Sequence, residues 1–126
     1  MGVNLDEELD DILAERKNEV SRLRSRFRNR IPVICIPSHN SPFKIERSKF
    51  LVPLNMMYGE FKYLLQKHLN CQLMDDPHHY GKNSTVYLYV NNKIPKMSTL
   101  LGDLFRKHKS EDGVLYMVYS SENTLG

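Results

Sequence analysis

Leu5, Leu9, Ile12 and Leu13 recur at helical spacing, as do Val20, Leu23 and Phe27, and neither Pro nor Gly interrupts residues 3–30. The pattern predicts one or two amphipathic helices ending near Phe27, with Asn4 and Glu7 placed like a capping box. Residues 31–37 (IPVICIP) are β-branched and bounded by prolines, which strand ends tolerate, so they predict a first strand. A polar connection holding Pro42 leads to Lys49-Phe50-Leu51-Val52-Pro53, a second short strand, and the pair predicts a hairpin. Asn55 is a candidate cap for a helix whose Met57, Phe61, Leu64, Leu65 and His68 form one stripe suited to crossing a sheet.

Residues 70–84 lack periodicity and contain Pro77 and Gly81, so they read as an exposed loop before a strand over 85–90. Asn91-Asn92 turns the chain. Ser98 is a candidate cap for a short helix with Leu100, Leu101, Leu104 and Phe105 inward, and residues 114–119 supply the last strand. Two hairpin-linked strands, a crossing helix and later strands returning beside the first predict an α+β fold with a mixed four-stranded sheet. That order is the ubiquitin-like β-grasp, here with N-terminal helices added.

The 126 residues fit one domain burying about two thirds of its unfolded surface. No apolar run approaches the roughly 18 residues of a membrane span, and Cys35 and Cys71 are too few and too distant for a disulfide framework, so a reducing, cytoplasmic setting is expected. Charge is segregated. Asp6, Glu7, Glu8, Asp10, Asp11 and Glu15 precede Arg16, Lys17, Arg22, Arg24, Arg26, Arg28 and Arg30, a basic block that suits an acidic peptide, an anionic bilayer or nucleic acid. Without interleaved exposed aromatics, nucleic acid is the weakest of these and is not expected.

Catalysis needs a nucleophile, a base and an orienting group, or a metal cage, and none is convincingly placed. The sequence has no Gly-rich phosphate loop, HExxH, GxSxG or CxxC. His68, Cys71, His78 and His79 match no structural zinc spacing, so no metal or other cofactor is expected. Cys35, between Ile34 and Ile36, behaves as a small buried hydrophobe. No enzyme is predicted. The terminal Gly126, carried on a polar tail beyond an apolar strand, suits a substrate instead, because a glycine carboxylate has no Cβ to block a narrow enzyme tunnel.

Five segments, in order, carry a resemblance: Arg28-Asn29-Arg30-Ile31-Pro32-Val33-Ile34, Lys49-Phe50-Leu51-Val52-Pro53, Gly59-Glu60-Phe61, Val90-Asn91-Asn92-Lys93-Ile94-Pro95 and Leu115-Tyr116-Met117-Val118-Tyr119-Ser120, followed by Gly126. From about residue 16 onward the chain resembles the autophagy-related ubiquitin-like modifiers, the autophagy-related protein 8, GABARAP and light-chain-three type, and the long 70–84 loop resembles protozoan members. The resemblance implies activation of Gly126 by an activating enzyme, transfer to a conjugating enzyme and attachment to phosphatidylethanolamine. A two-chain lipid anchors stably where one acyl chain does not. It implies a cytoplasmic protein before conjugation and an autophagosome membrane, or a plastid membrane in a plastid-bearing parasite, afterwards.

The resemblance also implies that Lys49–Pro53 pairs with short motifs of cargo receptors and adaptors, an aromatic residue followed three positions later by an aliphatic one. The aromatic pocket would use Glu19, Leu23, Pro32, Ile34, Lys49, Leu51 and Val114. The aliphatic pocket would use Phe50, Val52, Pro53, Met56, Phe61 and Leu64, while Arg30, Arg47 and His68 would face acidic residues of the peptide. Val114 stands where the family commonly has an aromatic residue, and His68 where some relatives carry arginine. The expected organisation is a helical extension packed on the domain over 1–28, a ubiquitin-like domain over 29–119 and a flexible tail over 120–126, in a monomer. An unconjugated β-grasp peptide adaptor is the alternative.

Overall fold

The computed structural model describes residues 5–39, 48–74 and 85–120, with side chains described over 13–39, 48–68 and 85–120. In chain order the elements are α1 (Leu5–Arg26), β1 (Arg30–Pro37), β2 (Lys49–Pro53), α2 (Tyr58–Met74), β3 (Tyr87–Tyr89), α3 (Leu101–His108) and β4 (Leu115–Ser120). They form one four-stranded sheet in the order β2-β1-β4-β3, antiparallel between β1 and β2 and between β3 and β4, and parallel between β1 and β4. The expected α+β ubiquitin-like arrangement is therefore present.

Alternation along β1 explains how the sheet is covered. Ile31, Val33 and Cys35 are buried in the same cluster as Phe61 and Leu65 of α2, Leu88 of β3, Leu101, Leu104 and Phe105 of α3, and Leu115 and Met117 of β4. Pro32 and Ile34 fall on the other face by the two-residue strand period. The Tyr58 hydroxyl donates to the Leu88 carbonyl at 2.5 Å, satisfying a polar group that burial would otherwise make costly. The buried Cys35 thiol has no electrostatic help, and desolvation pushes it up to about 12, so it stays protonated, as expected of a packing residue.

α1 is a single helix that closes with the Phe27 N–H donating to the Leu23 carbonyl at 2.8 Å. Val20 is buried against Gly113, whose φ of +83° is open to a residue without Cβ and whose added Cβ would meet Val20 Cγ1 at 2.9 Å. Arg24 lies 5.0 Å from the Phe105 ring centroid and donates to the Arg30 carbonyl at 2.6 Å, tying the helix to α3 and to the start of β1.

Two boundary expectations fail for one reason. α2 and α3 are capped by each other's approach segments, not by Asn55 and Ser98. The first amides of α2, Tyr58 and Gly59, donate to the Thr99 and Met97 carbonyls at 2.7 and 2.9 Å, while those of α3, Leu101 and Gly102, donate to the Met56 and Leu54 carbonyls at 2.8 Å each. An added Cβ at Gly102 would meet the Leu54 carbonyl oxygen at 2.9 Å, which explains a glycine there. Glu60 Oε1 accepts from the Met57 N–H at 3.2 Å, completing the start of α2. Leu100 pairs with Met57 as a bridge and is 39% exposed, so it does not point inward.

Elsewhere the differences are small. α2 continues to Met74, through residues expected to be loop, and Ser120 ends β4 where the tail was expected to begin. Asn91 and Asn92 have φ of +52° and +65°, the left-handed conformations of a tight hairpin-type turn, as the Asn-Asn pair predicts. Asn4, Pro77 and Gly81 lie outside the described residues.

Candidate functional site

β2 ends the sheet, with β1 on one side only. Its register fixes which way its backbone faces: Cys35 N–H donates to Ser48 O at 2.8 Å and Leu54 N–H to Asn29 O at 3.0 Å. The bonded pairs therefore fall at Ser48, Phe50, Val52 and Leu54, and the backbone groups of Lys49, Leu51 and Pro53 point outward from the sheet. Pro32 sits opposite Leu51, at a position where β1 gives no bond to β2, so its missing N–H costs the ladder nothing. Arg30 Nη1 donates to the Leu51 carbonyl at 3.2 Å, so a guanidinium rests on this outward edge.

Beside the edge lies a cavity of about 260 Å³ roofed by α1. All seven residues expected in an aromatic pocket line it: Glu19 and Leu23 from α1, Pro32 and Ile34 from β1, Lys49 and Leu51 from β2, and Val114 before β4. Arg16, Val20, Val33 and Phe50 also border it and were not foreseen. Arg16 and Val20 share the helix face of Glu19 and Leu23 by i, i+3, i+4, i+7 spacing, a signal present in the sequence. Gly113, Asp112 and Val114 form the far wall's support: Asp112 accepts from the Val114 N–H at 3.1 Å and from the Tyr116 hydroxyl. Desolvation first, then that bond to Asp112, raises the Tyr116 phenol, so it holds its proton.

On the α2 flank the six residues expected in an aliphatic pocket are placed as follows. Val52 and Phe61 are core residues, 7% and 1% exposed. Phe50 stands edge-on to Phe61 with centroids 5.3 Å apart, partly covering it. Pro53 is half-buried, and Met56 and Leu64 border a separate cavity of about 610 Å³ with Met57, Gly59, Glu60, Tyr63, Met97 and Ser98. Met97 and Ser98 were not foreseen beside α2 because they reach it only through the reciprocal caps, which leave no periodicity.

Of the charged residues, Arg30 lies on the edge and His68 is exposed on α2, its ring 6.3 Å from Phe50. Arg47 and Gly126 lie outside the described residues, as do His78, His79 and the side chain of Cys71. Among the described residues no helix is long and apolar enough to cross a membrane.

The family model described as autophagy protein Atg8, ubiquitin-like, matches residues 15–126. Autophagy-related protein 8 of Saccharomyces cerevisiae is 36% identical over 113 residues, 89% of each chain, and that of Dictyostelium discoideum is 36% identical over 119 residues, 93% of this chain and 90% of its own. Among solved structures, Plasmodium falciparum Atg8 in complex with a Plasmodium falciparum Atg3 peptide superposes with a TM-score of 0.74 at 41% identity, covering 96% of this chain and 98% of that one. Trypanosoma brucei ATG8 superposes with a TM-score of 0.70 at 31% identity, covering 86% of each. Match length, identity and fold agree, and the chain belongs to the Atg8 family of ubiquitin-like autophagy proteins, whose members are modifiers and not enzymes.

Proposed function

We propose that this protein is conjugated through Gly126 to phosphatidylethanolamine and, in the cytoplasm and on the autophagosome membrane, recruits partners whose aromatic-x-x-aliphatic motifs add a strand to β2. The observation that carries the peptide reading is the cavity shared by Glu19, Leu23, Pro32, Ile34, Lys49, Leu51 and Val114 beside an outward-facing strand edge. Parity supports the motif. In an added strand, residues three apart point to opposite faces, and Lys49 and Leu51 border the α1 cavity while Phe50 and Val52 pack toward α2. Arg30 would release the Leu51 carbonyl to the incoming strand and meet an acidic residue of the peptide, with Arg47 and His68 beside it.

Two anchors worth about 1.5–3 kcal/mol each and a few strand hydrogen bonds of about 1 kcal/mol each offset the ordering of a flexible peptide, giving affinity near micromolar. The Atg3 peptide bound to the Plasmodium falciparum relative supports the conjugating enzyme as one such partner. In this reading residues 1–28 are an extension on the ubiquitin-like unit and the last residues are the handle for activation. Reconstitution with cognate activating and conjugating enzymes, ATP and phosphatidylethanolamine liposomes should give a membrane-bound species. Deletion of Gly126 should abolish it. Lipidation that survives the deletion would refute the assignment, and peptide binding without any thioester to the enzymes would favour an unconjugated adaptor.

A further inference from the structure

The larger cavity, about 610 Å³ beside the start of α2, is walled by Met56, Met57, Tyr63, Leu64 and Met97. Its apolar walls are open to solvent: Tyr63 is 61% exposed, Met97 53%, Leu64 44% and Met57 39%. Exposed apolar side chains that line one cavity make it a candidate interaction site. Gly59 lets the Met97 segment approach α2 closely, since an added Cβ would meet Met97 Cβ and its carbonyl oxygen at 3.1 Å. We propose that this cavity takes a third apolar side chain of the same peptide partner, at the second position beyond its aliphatic residue.

The inference rests on the edge-strand reading and follows from direction. The aromatic cavity is bordered by Lys49 and Leu51, whereas the expected aliphatic contacts continue through Pro53 to Met56, later in the chain. A motif with its aromatic residue first therefore runs parallel to β2. Beyond its aliphatic residue it passes the turn closed by the Met56 N–H on the Pro53 carbonyl at 3.2 Å, from which Met56 and Met57 lead into α2 at Tyr58. Met56 and Leu64 border both the aliphatic contacts and the larger cavity, so the two surfaces are continuous. Counting the aromatic residue as i, position i+5 shares the face of i+3 and lies about 6.6 Å farther along an extended strand. Three methionines give an adaptable wall, suited to Leu, Met or Phe at that position.

The test uses the full chain and four synthetic peptides: an aromatic-x-x-leucine core followed by serines, and the same peptide with one further leucine at i+4, i+5 or i+6. Isothermal titration should show the i+5 leucine tightening binding by roughly tenfold, with i+4 and i+6 gaining much less. The double variant Tyr63→Ser, Met97→Ser should erase that gain while binding the core peptide as the parent does. No gain at i+5, an equal gain at i+4, or a gain undiminished in the double variant overturns the third anchor alone. Failure of the core peptide to bind overturns the edge-strand reading and this inference with it.

Discussion

The two flanks of β2 are built differently although one five-residue strand supplies both. On the α1 flank, residues from four parts of the chain meet around open space, and Leu23, 39% exposed, is spared from the core. On the α2 flank, Val52 and Phe61 are sealed in the core and Phe50 packs on Phe61. The first flank is a cavity whose walls can change without unfolding the protein. The second is the outer surface of the core itself, so the proposed recognition there would share side chains with stability.

Substitution separates the flanks most sharply at Phe61. Phe61→Ala should lower unfolding stability by about 3–5 kcal/mol, read by denaturant titration, so its loss of peptide binding would report folding. Leu51→Asp should weaken peptide binding at least about tenfold while costing under roughly 1 kcal/mol of stability, because its side chain borders open space. Equal destabilisation by both would erase the distinction.

A second difference should appear in alkali. Burial lifts the Cys35 thiol from 9.0 and the Tyr58 phenol from 10.0, each to about 12, and both belong to the core beneath α2. The unfolded groups lose their protons first, so stability is fully present below about pH 9 and falls as pH rises toward 12. Tyr58 should account for part of that fall. Tyr58→Phe should flatten the decline, measured by urea unfolding across the range; an unchanged slope would show that the phenol ionises freely.

The smallest effects come from two glycines, one supporting each flank. Gly102→Ala drives a Cβ against the Leu54 carbonyl oxygen and should cost about 1–3 kcal/mol, disturbing the residue 54–57 segment and the α2 flank. Gly113→Ala meets Val20 Cγ1 and a positive φ, costing about 1–2 kcal/mol, and should loosen α1 over the cavity beside β2. Tryptophan-containing core peptides should lose affinity in the second variant more than in the first.

Legibility followed the same division. Periodicity placed β1, β2 and the body of α2 because each buries a face that its own residues specify, and Asn91-Asn92 marked its turn by chemistry alone. The helix starts were misread because their amides are met by carbonyls from a segment roughly forty residues away, which no local pattern encodes. The seven residues that the family resemblance named line the α1 cavity together. Met97 was not foreseen, since a lone loop methionine signals nothing until the caps bring it to Gly59.

On the proposed function, β2 is a docking edge recognised on both faces. Amide-resolved NMR titration of the full chain with an aromatic-x-x-aliphatic peptide tests it directly. The largest shifts should fall on Lys49 and Leu51, whose amides face outward, followed by Leu23 and Val114 on one flank and Leu64 on the other. Shifts centred on the opposite edge at Tyr87–Tyr89, with β2 unmoved, would contradict it.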